Sequence, residues 1–172
     1  MNVIHTTIDK IKIPQRYIPK SLKQKDKLKQ KKNLKKSRKL YKKGVYFSRP
    51  KVDSFKSKES PHIKKLKKMY NIENIEIPEL AKKTKCSEDA LNKIIKKGQG
   101  AYFSSGSRPN QTAHSWGMAR LASSLTGGNA SVIDYNELAE GCDSNSKPLI
   151  LAKKQCKKVG RNCGKNNTRK NK

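Results

Sequence analysis

Lysine is the residue that carries chemistry in this sequence. Between Lys20 and Lys43 more than half of the positions are basic, including Lys23, Lys25, Lys27, Lys29, Lys31, Lys32, Lys35, Lys36, Arg38, Lys39, Lys42 and Lys43. Side chains of this kind, so closely spaced, neutralise a polyanion and release its counterions. Two further clusters share that character: Lys64, Lys65, Lys67 and Lys68, and then Lys153, Lys154, Lys157 and Lys158 at the start of a basic run to Lys172. Arg49 adds a guanidinium beside Tyr46 and Phe47, and Phe55 lies beside Lys56. These aromatics are expected to dock on a core, with stacking on bases as the competing reading. Together with Arg108 these basic residues form the candidate nucleic-acid-binding set, with DNA favoured over RNA.

One loop offers a different chemistry. In GQGAYFSSGSRPNQT, Gly98, Gly100 and Gly106 permit tight turns, and Ser104, Ser105, Ser107, Asn110 and Gln111 surround Arg108. Such a loop can hold a phosphate or carboxylate through backbone N–H groups and one guanidinium. It can equally satisfy itself and cap the helix that follows, which is the expectation. No GKS/T follows the glycines, so it is not a P-loop. No catalytic set stands out: His114 is the one histidine in the neutral part of the chain, and a lone helical histidine is more often structural. An enzyme is not expected, and neither is a cofactor. Cys86, Cys142, Cys156 and Cys163 form no CxxC pair, and with His5, His62 and His114 they make no zinc pattern. They are expected to be free thiols.

The elements that would position these groups are helices. Lys20–Lys43 is a strong helix former, with Ser21 and Gln24 as a capping box and Gly44 as its stop. Its leucines, Leu22, Leu28, Leu34 and Leu40, step around the helix and form no apolar stripe, so little packing is expected of it. Ser60-Pro61 opens a short amphipathic helix with Ile63, Leu66, Met69 and Tyr70 inward. Pro78 opens another, PELAKKTK, and Ser87 caps SEDALNKIIKK, with Gly98 as its terminal residue. The pair, 78–97, has the outline of a helix-turn-helix, although Lys85 stands where glycine is common. The exposed Glu88, Asp89, Asn92 and Lys93 make a poor base-reading face, so structural packing is the expected role. Thr112 caps AHSWGMARLASSL, with Trp116 as the expected core anchor and Gly127-Gly128 as its end. Asp134 with Glu137 signals a cap for DYNELAEG, in which Tyr135, Leu138 and Ala139 should face inward.

Charge divides the 172 residues. Residues 1–70 carry a net +20, residues 71–100 add +1, residues 101–152 carry −1 and residues 153–172 add +9. With 33% apolar residues against a formal +29, only the neutral part is expected to close a core. The fold class read from this is mainly α: a small helical domain with a long basic, partly disordered N-terminal arm and a basic C-terminal tail. In order, the segments are an extended leader (1–19, with Val3, Ile4, Ile8, Ile11 and Ile13), a basic helical arm (20–70), the helical domain (71–145) and a basic disordered tail (146–172). No apolar run is long enough to cross a bilayer, and the start, MNVIHTTIDKIKIP, lacks the pattern of a secretory signal. The chain is expected to act in the cytosol, the nucleus or an assembly made there.

KGQGAYFSSGSRPNQTAHSWGMARLASSLTGGNA, followed by DYNELAEGC, resembles an uncharacterised domain family of nucleocytoplasmic large DNA viruses, the iridovirus and mimivirus relatives. IPQRYIPKSL, KKSRKLYKKG and SFKSKESPHIKKLKKMYNI extend the resemblance over most of residues 11–142. It implies a viral protein, found in the virion or in the host cytoplasm or nucleus during infection, and supplies no activity. The leading expectation is a basic structural protein that binds DNA without sequence preference, condensing the genome or tethering it to the capsid interior. The alternatives are a minor capsid or scaffold protein whose basic arm runs along acidic capsid subunits, and a transcription regulator using the 78–97 hairpin.

Overall fold

A computed structural model describes residues 12–164 of the chain. The chain divides into two compact units. One is Met1–Ser57 with Phe103–Asn110, the other Lys58–Tyr102 with Gln111–Lys172. Among the described residues there are eight α-helices and no strand, which makes the protein mainly α.

The first unit opens with a short 3-10 turn, Gln15–Tyr17, between Pro14 and Pro19. Helix α1 follows, Gln24–Tyr41. Its start differs from the expected capping box: the Lys23 backbone N–H donates to Ser54 Oγ at 3.1 Å, and Ser21 makes no cap. Its end is as expected, with Gly44 at φ +75°. Helix α1 also packs more than its leucines suggest. Asp26, Gln30, Leu34 and Ser37 are all buried, spaced by four, four and three. At 100° per residue they fall within a sector of about 80°. The inward stripe is real but three-quarters polar, so a search for apolar periodicity passes over it.

The second unit holds the apolar core. Helices α2 (Pro61–Tyr70), α3 (Ile77–Thr84) and α4 (Glu88–Ser104, through Tyr102) bring in Leu66, Leu80, Leu91 and Ile94, all fully buried. Helices α5 (Ala113–Leu125), α6 (Asn129–Ile133), α7 (Tyr135–Gly141) and α8 (Lys147–Lys158) add Leu121, Leu125, Leu138 and Leu149. Complete burial of each such side chain is worth about 1.5–3 kcal/mol. Several expected caps are present. The Ser60 side chain accepts from the His62 backbone N–H, Ser87 Oγ from that of Ala90, and Thr112 and Ser115 cap each other. Tyr70 donates to the Leu125 carbonyl at 2.8 Å, and burial raises the pKa of its phenol.

Four expectations about this unit are corrected. First, 146–172 is not a bare tail. Pro148 sits in the first turn of α8, and Leu149, Ala152 and Cys156 recur at helical spacing and are buried. The lysines between them masked that stripe. Second, α4 does not stop at Gly98. A Cβ on Gly98 would meet the Gly117 Cα at 2.6 Å, so the two glycines mark a close approach of α4 and α5 rather than a terminus. Third, Trp116 is only half-buried, while Leu121, Ala122 and Leu125 fill the interior from α5. Likewise Ala139 is exposed, and Asp134 makes no side-chain cap. Fourth, the cysteines are paired, Cys86 with Cys142 and Cys156 with Cys163. The first pair lies on a short antiparallel bridge, where Ser87 N–H donates to Gly141 O and Asp143 N–H to Lys85 O. Proximity across 56 residues leaves no trace in cysteine spacing. The leader residues Val3, Ile4, Ile8 and Ile11, and the tail from Lys165, lie outside the described residues.

Candidate nucleic-acid interface

The inward face of α1 is held by hydrogen bonds. Asp26 accepts from the Ser54 hydroxyl at 2.5 Å and from its backbone N–H at 2.8 Å. Those bonds hold its carboxyl below the ordinary value, helped by Lys29 and Lys25 and opposed by partial burial. Gln30 donates to the Tyr17 carbonyl at 3.2 Å, and Ser37 Oγ to the Phe103 carbonyl at 3.1 Å. Arg38 grips the Ser105 carbonyl through Nε and Nη2, at 2.9 and 2.7 Å.

Residues 103–110 are therefore a tie, and Arg108 is not the centre of their polar groups. The Ser107 hydroxyl accepts from Arg49 Nη2 at 2.7 Å. Asn110, at φ +60°, pairs with both backbone groups of Val52 and donates to the Phe55 carbonyl. Gly106, at φ +115°, lies where a Cβ would meet Leu34 Cδ2 at 2.6 Å. The loop serves the first unit, while the cap of α5 comes from Thr112 and Ser115. Arg108 itself is exposed.

Arg49 leaves the candidate contact set. It is only 9% exposed, and its guanidinium donates to the Ser37 and Ser107 hydroxyls. Burying a guanidinium requires hydrogen bonds of this kind, and a group so engaged has no face left for a phosphate.

The remaining lysines of α1 point the other way. Lys25, Lys29, Lys31, Lys32, Lys35, Lys36 and Lys39 are exposed, Lys27 is half-buried, and Lys23, Lys42 and Lys43 flank the helix in the open. Lys29 reaches the Lys51 carbonyl at 2.9 Å, and the Lys36 ammonium lies 4.5 Å from the centre of the Phe47 ring. The described part of this unit has 19 basic and 2 acidic side chains, a net of +17. Asp26 is spent on Ser54, and among the described residues of this unit no salt bridge forms.

The second unit handles charge differently. It has 18 basic and 10 acidic described side chains, and five of the acids, Glu59, Glu79, Asp89, Asp134 and Glu137, pair with a cation. Arg120 binds the fully buried Asp134 through Nε and Nη2, at 2.9 and 2.6 Å, and Ser124 and Lys97 complete that carboxylate's surroundings. Of the predicted contact residues, Lys64 and Lys67 face Glu59, and Lys65 donates to the Thr126 carbonyl. Lys68 is exposed on α2, and Lys153, Lys154, Lys157 and Lys158 are exposed on α8. In the 78–97 hairpin Lys85 takes the left-handed turn itself, at φ +55°. Asp89 pairs with Lys93 at 2.8 Å on the would-be recognition helix, which puts acid where a duplex would have phosphate.

Residues 14–140, which include α1, its 103–110 tie and the helices through most of α7, match a model described as "Family of unknown function (DUF5824)". The chain belongs to this family. No curated protein and no solved structure matches it. The DUF5824 match ends ahead of Cys142 and α8, although Leu149 and Ala152 belong to the same core as Leu66 and Leu121. No helix of the described residues is long and apolar enough to cross a membrane.

Proposed function

We propose that this DUF5824 chain is a viral structural protein that binds DNA without sequence preference, condensing a genome or tethering it to the inside of a capsid. The viral part of the reading rests on the SSGSRPNQT, ARLAS and TGGNA resemblance to the large DNA virus domain family. Virion and infected-cell compartments follow from that resemblance. The binding part rests on one observation: the outward lysines of α1 stand on a folded unit of net +17 with no carboxylate paired to them among its described residues.

Spacing supports it. An 18-residue helix is about 27 Å long, and its eight lysines give roughly one cation per 3.4 Å of its length. Phosphates along one DNA strand are about 3.4 Å apart. Arg108 and the exposed lysines of α2 and α8 add to the attraction. Nothing in this set reads base edges, so contacts would position the protein on the backbone and leave sequence unread.

The test is binding of the full chain to random-sequence duplex DNA across a salt series. With six or more phosphates engaged, affinity is expected to fall by roughly three orders of magnitude or more between about 50 and 200 mM salt. Lys32→Glu with Lys36→Glu should flatten that slope. A complex indifferent to salt overturns the proposal, as does DNA failing to compete with an acidic protein partner.

A further inference from the structure

One feature of the first unit is unused by backbone binding. Helix α1 ends at Gly44, whose N–H donates to the Tyr41 carbonyl, and Val45 N–H bonds back to the Leu40 carbonyl. This fixed exit delivers Tyr46, the most exposed large apolar side chain described, at 68%. The expectation that it docks on a core is therefore corrected. Yet the ring is braced: the Phe103 ring meets it edge to face at 5.1 Å and 73°, and the Tyr41 ring at 5.9 Å and 72°. Two perpendicular neighbours set its plane while most of its surface stays in water. A ring held in this way offers the kind of preset aromatic surface on which a base can stack.

Its surroundings say what kind of partner fits. Lys42 and Lys43 precede it and are exposed, Lys39 lies one helical turn earlier, and the neighbouring Phe47 ring carries the Lys36 ammonium. A flat apolar ring among cations suits a ligand that is flat and apolar in one part and anionic in the next. An unpaired nucleotide has that shape, because its base has a free face and its phosphate a charge. A duplex offers the phosphates but keeps the faces stacked. We infer that Tyr46, braced by Tyr41 and Phe103 and flanked by Lys39, Lys42 and Lys43, is a stacking platform for an unpaired base, so that the first unit prefers single-stranded nucleic acid. This rests on the proposed polyanion binding and names the form of polymer that the site favours.

The experiment uses the full chain, wild type, Tyr46→Ala and Tyr46→Trp, with labelled single-stranded DNA, single-stranded RNA and duplex DNA of one mixed sequence. At matched salt the wild type should bind a single strand more tightly than the duplex. Tyr46→Ala should weaken single-strand binding roughly tenfold, leave duplex binding and the salt slope unchanged, and Tyr46→Trp should restore the loss. Loss in the DNA arm, the RNA arm or both supports the platform and names its source. Equal loss on duplex and single strand, or no loss at all, overturns it while leaving general DNA binding standing. Failure of the wild type to bind any of the three overturns both. Circular dichroism of the variants separates a lost platform from a lost fold, and retention by Tyr46→Trp does so independently.

Discussion

Asp26 lies among lysines on α1, and its carboxylate turns inward to Ser54. The Ser54 hydroxyl and N–H bind the ionised form, so the folded pKa lies below the ordinary 3.8 of an aspartate. A depressed carboxylate contributes stability that is complete above the unfolded pKa and is lost as pH falls through the folded one. Thermal unfolding followed into the acid range should therefore show the wild type weakening below about pH 3.8. Asp26→Asn should start less stable at neutral pH and follow a flatter acid profile. Parallel profiles would remove Asp26 from the account. Protonation here detaches Ser54 from the start of α1, so acid should loosen the first unit before the apolar core of the second.

Helices α4 and α5 meet through Gly98 and Gly117, and here two effects compete. Alanine is a better helix former than glycine by about 1 kcal/mol. Against that, the new methyl at Gly98 would lie 2.6 Å from the backbone Cα of Gly117, where no side chain can swing away. Overpacking of that kind costs about 1–3 kcal/mol, so Gly98→Ala should lower the melting temperature by several degrees in calorimetry. A rise would show that the helices part freely. What the sequence revealed follows the same division. Helices announced by proline, a serine or threonine cap and apolar spacing were legible: α2, α3, α5 and the start of α4. Gly98 was misread because a glycine that ends a helix and one that lets another helix approach look alike in one chain. The packing of α1 was hidden because Asp26, Gln30 and Ser37 bury polar groups whose partners, Tyr17, Ser54 and Phe103, are remote in sequence. The lysine clusters could be read directly from the sequence, whereas the burial of Arg49, the internal partners of Lys64, Lys65 and Lys67 and the exposure of Tyr46 could not.

Across the whole molecule, like charges dominate. Pairs such as Lys25/Lys29, Lys31/Lys35, Lys32/Lys36 and Lys35/Lys39 stand four residues apart on α1, where each costs a few tenths of a kcal/mol. Dissolved salt screens that repulsion within about 10 Å at 0.1 M. The free protein should thus gain thermal stability as salt rises from low to moderate levels, over the range in which its grip on DNA weakens. Melting curves and binding isotherms recorded in one salt series would show the two trends crossing. A melting temperature that falls with salt would mean that the lysines find anionic partners within the chain.

The route of the chain carries one more consequence. The first unit closes only when Phe103–Asn110 arrives, and that segment is delivered from the far end of α4. A basic tail can be lost, duplicated or grafted onto another protein as a single stretch. This lysine-bearing unit has no such freedom, because residues 12–57 leave Arg38, Ser37 and Arg49 without Ser105, Phe103 and Ser107. Residues 12–57 expressed alone should therefore fail to hold this unit together, and insertions within α4 would reach both units.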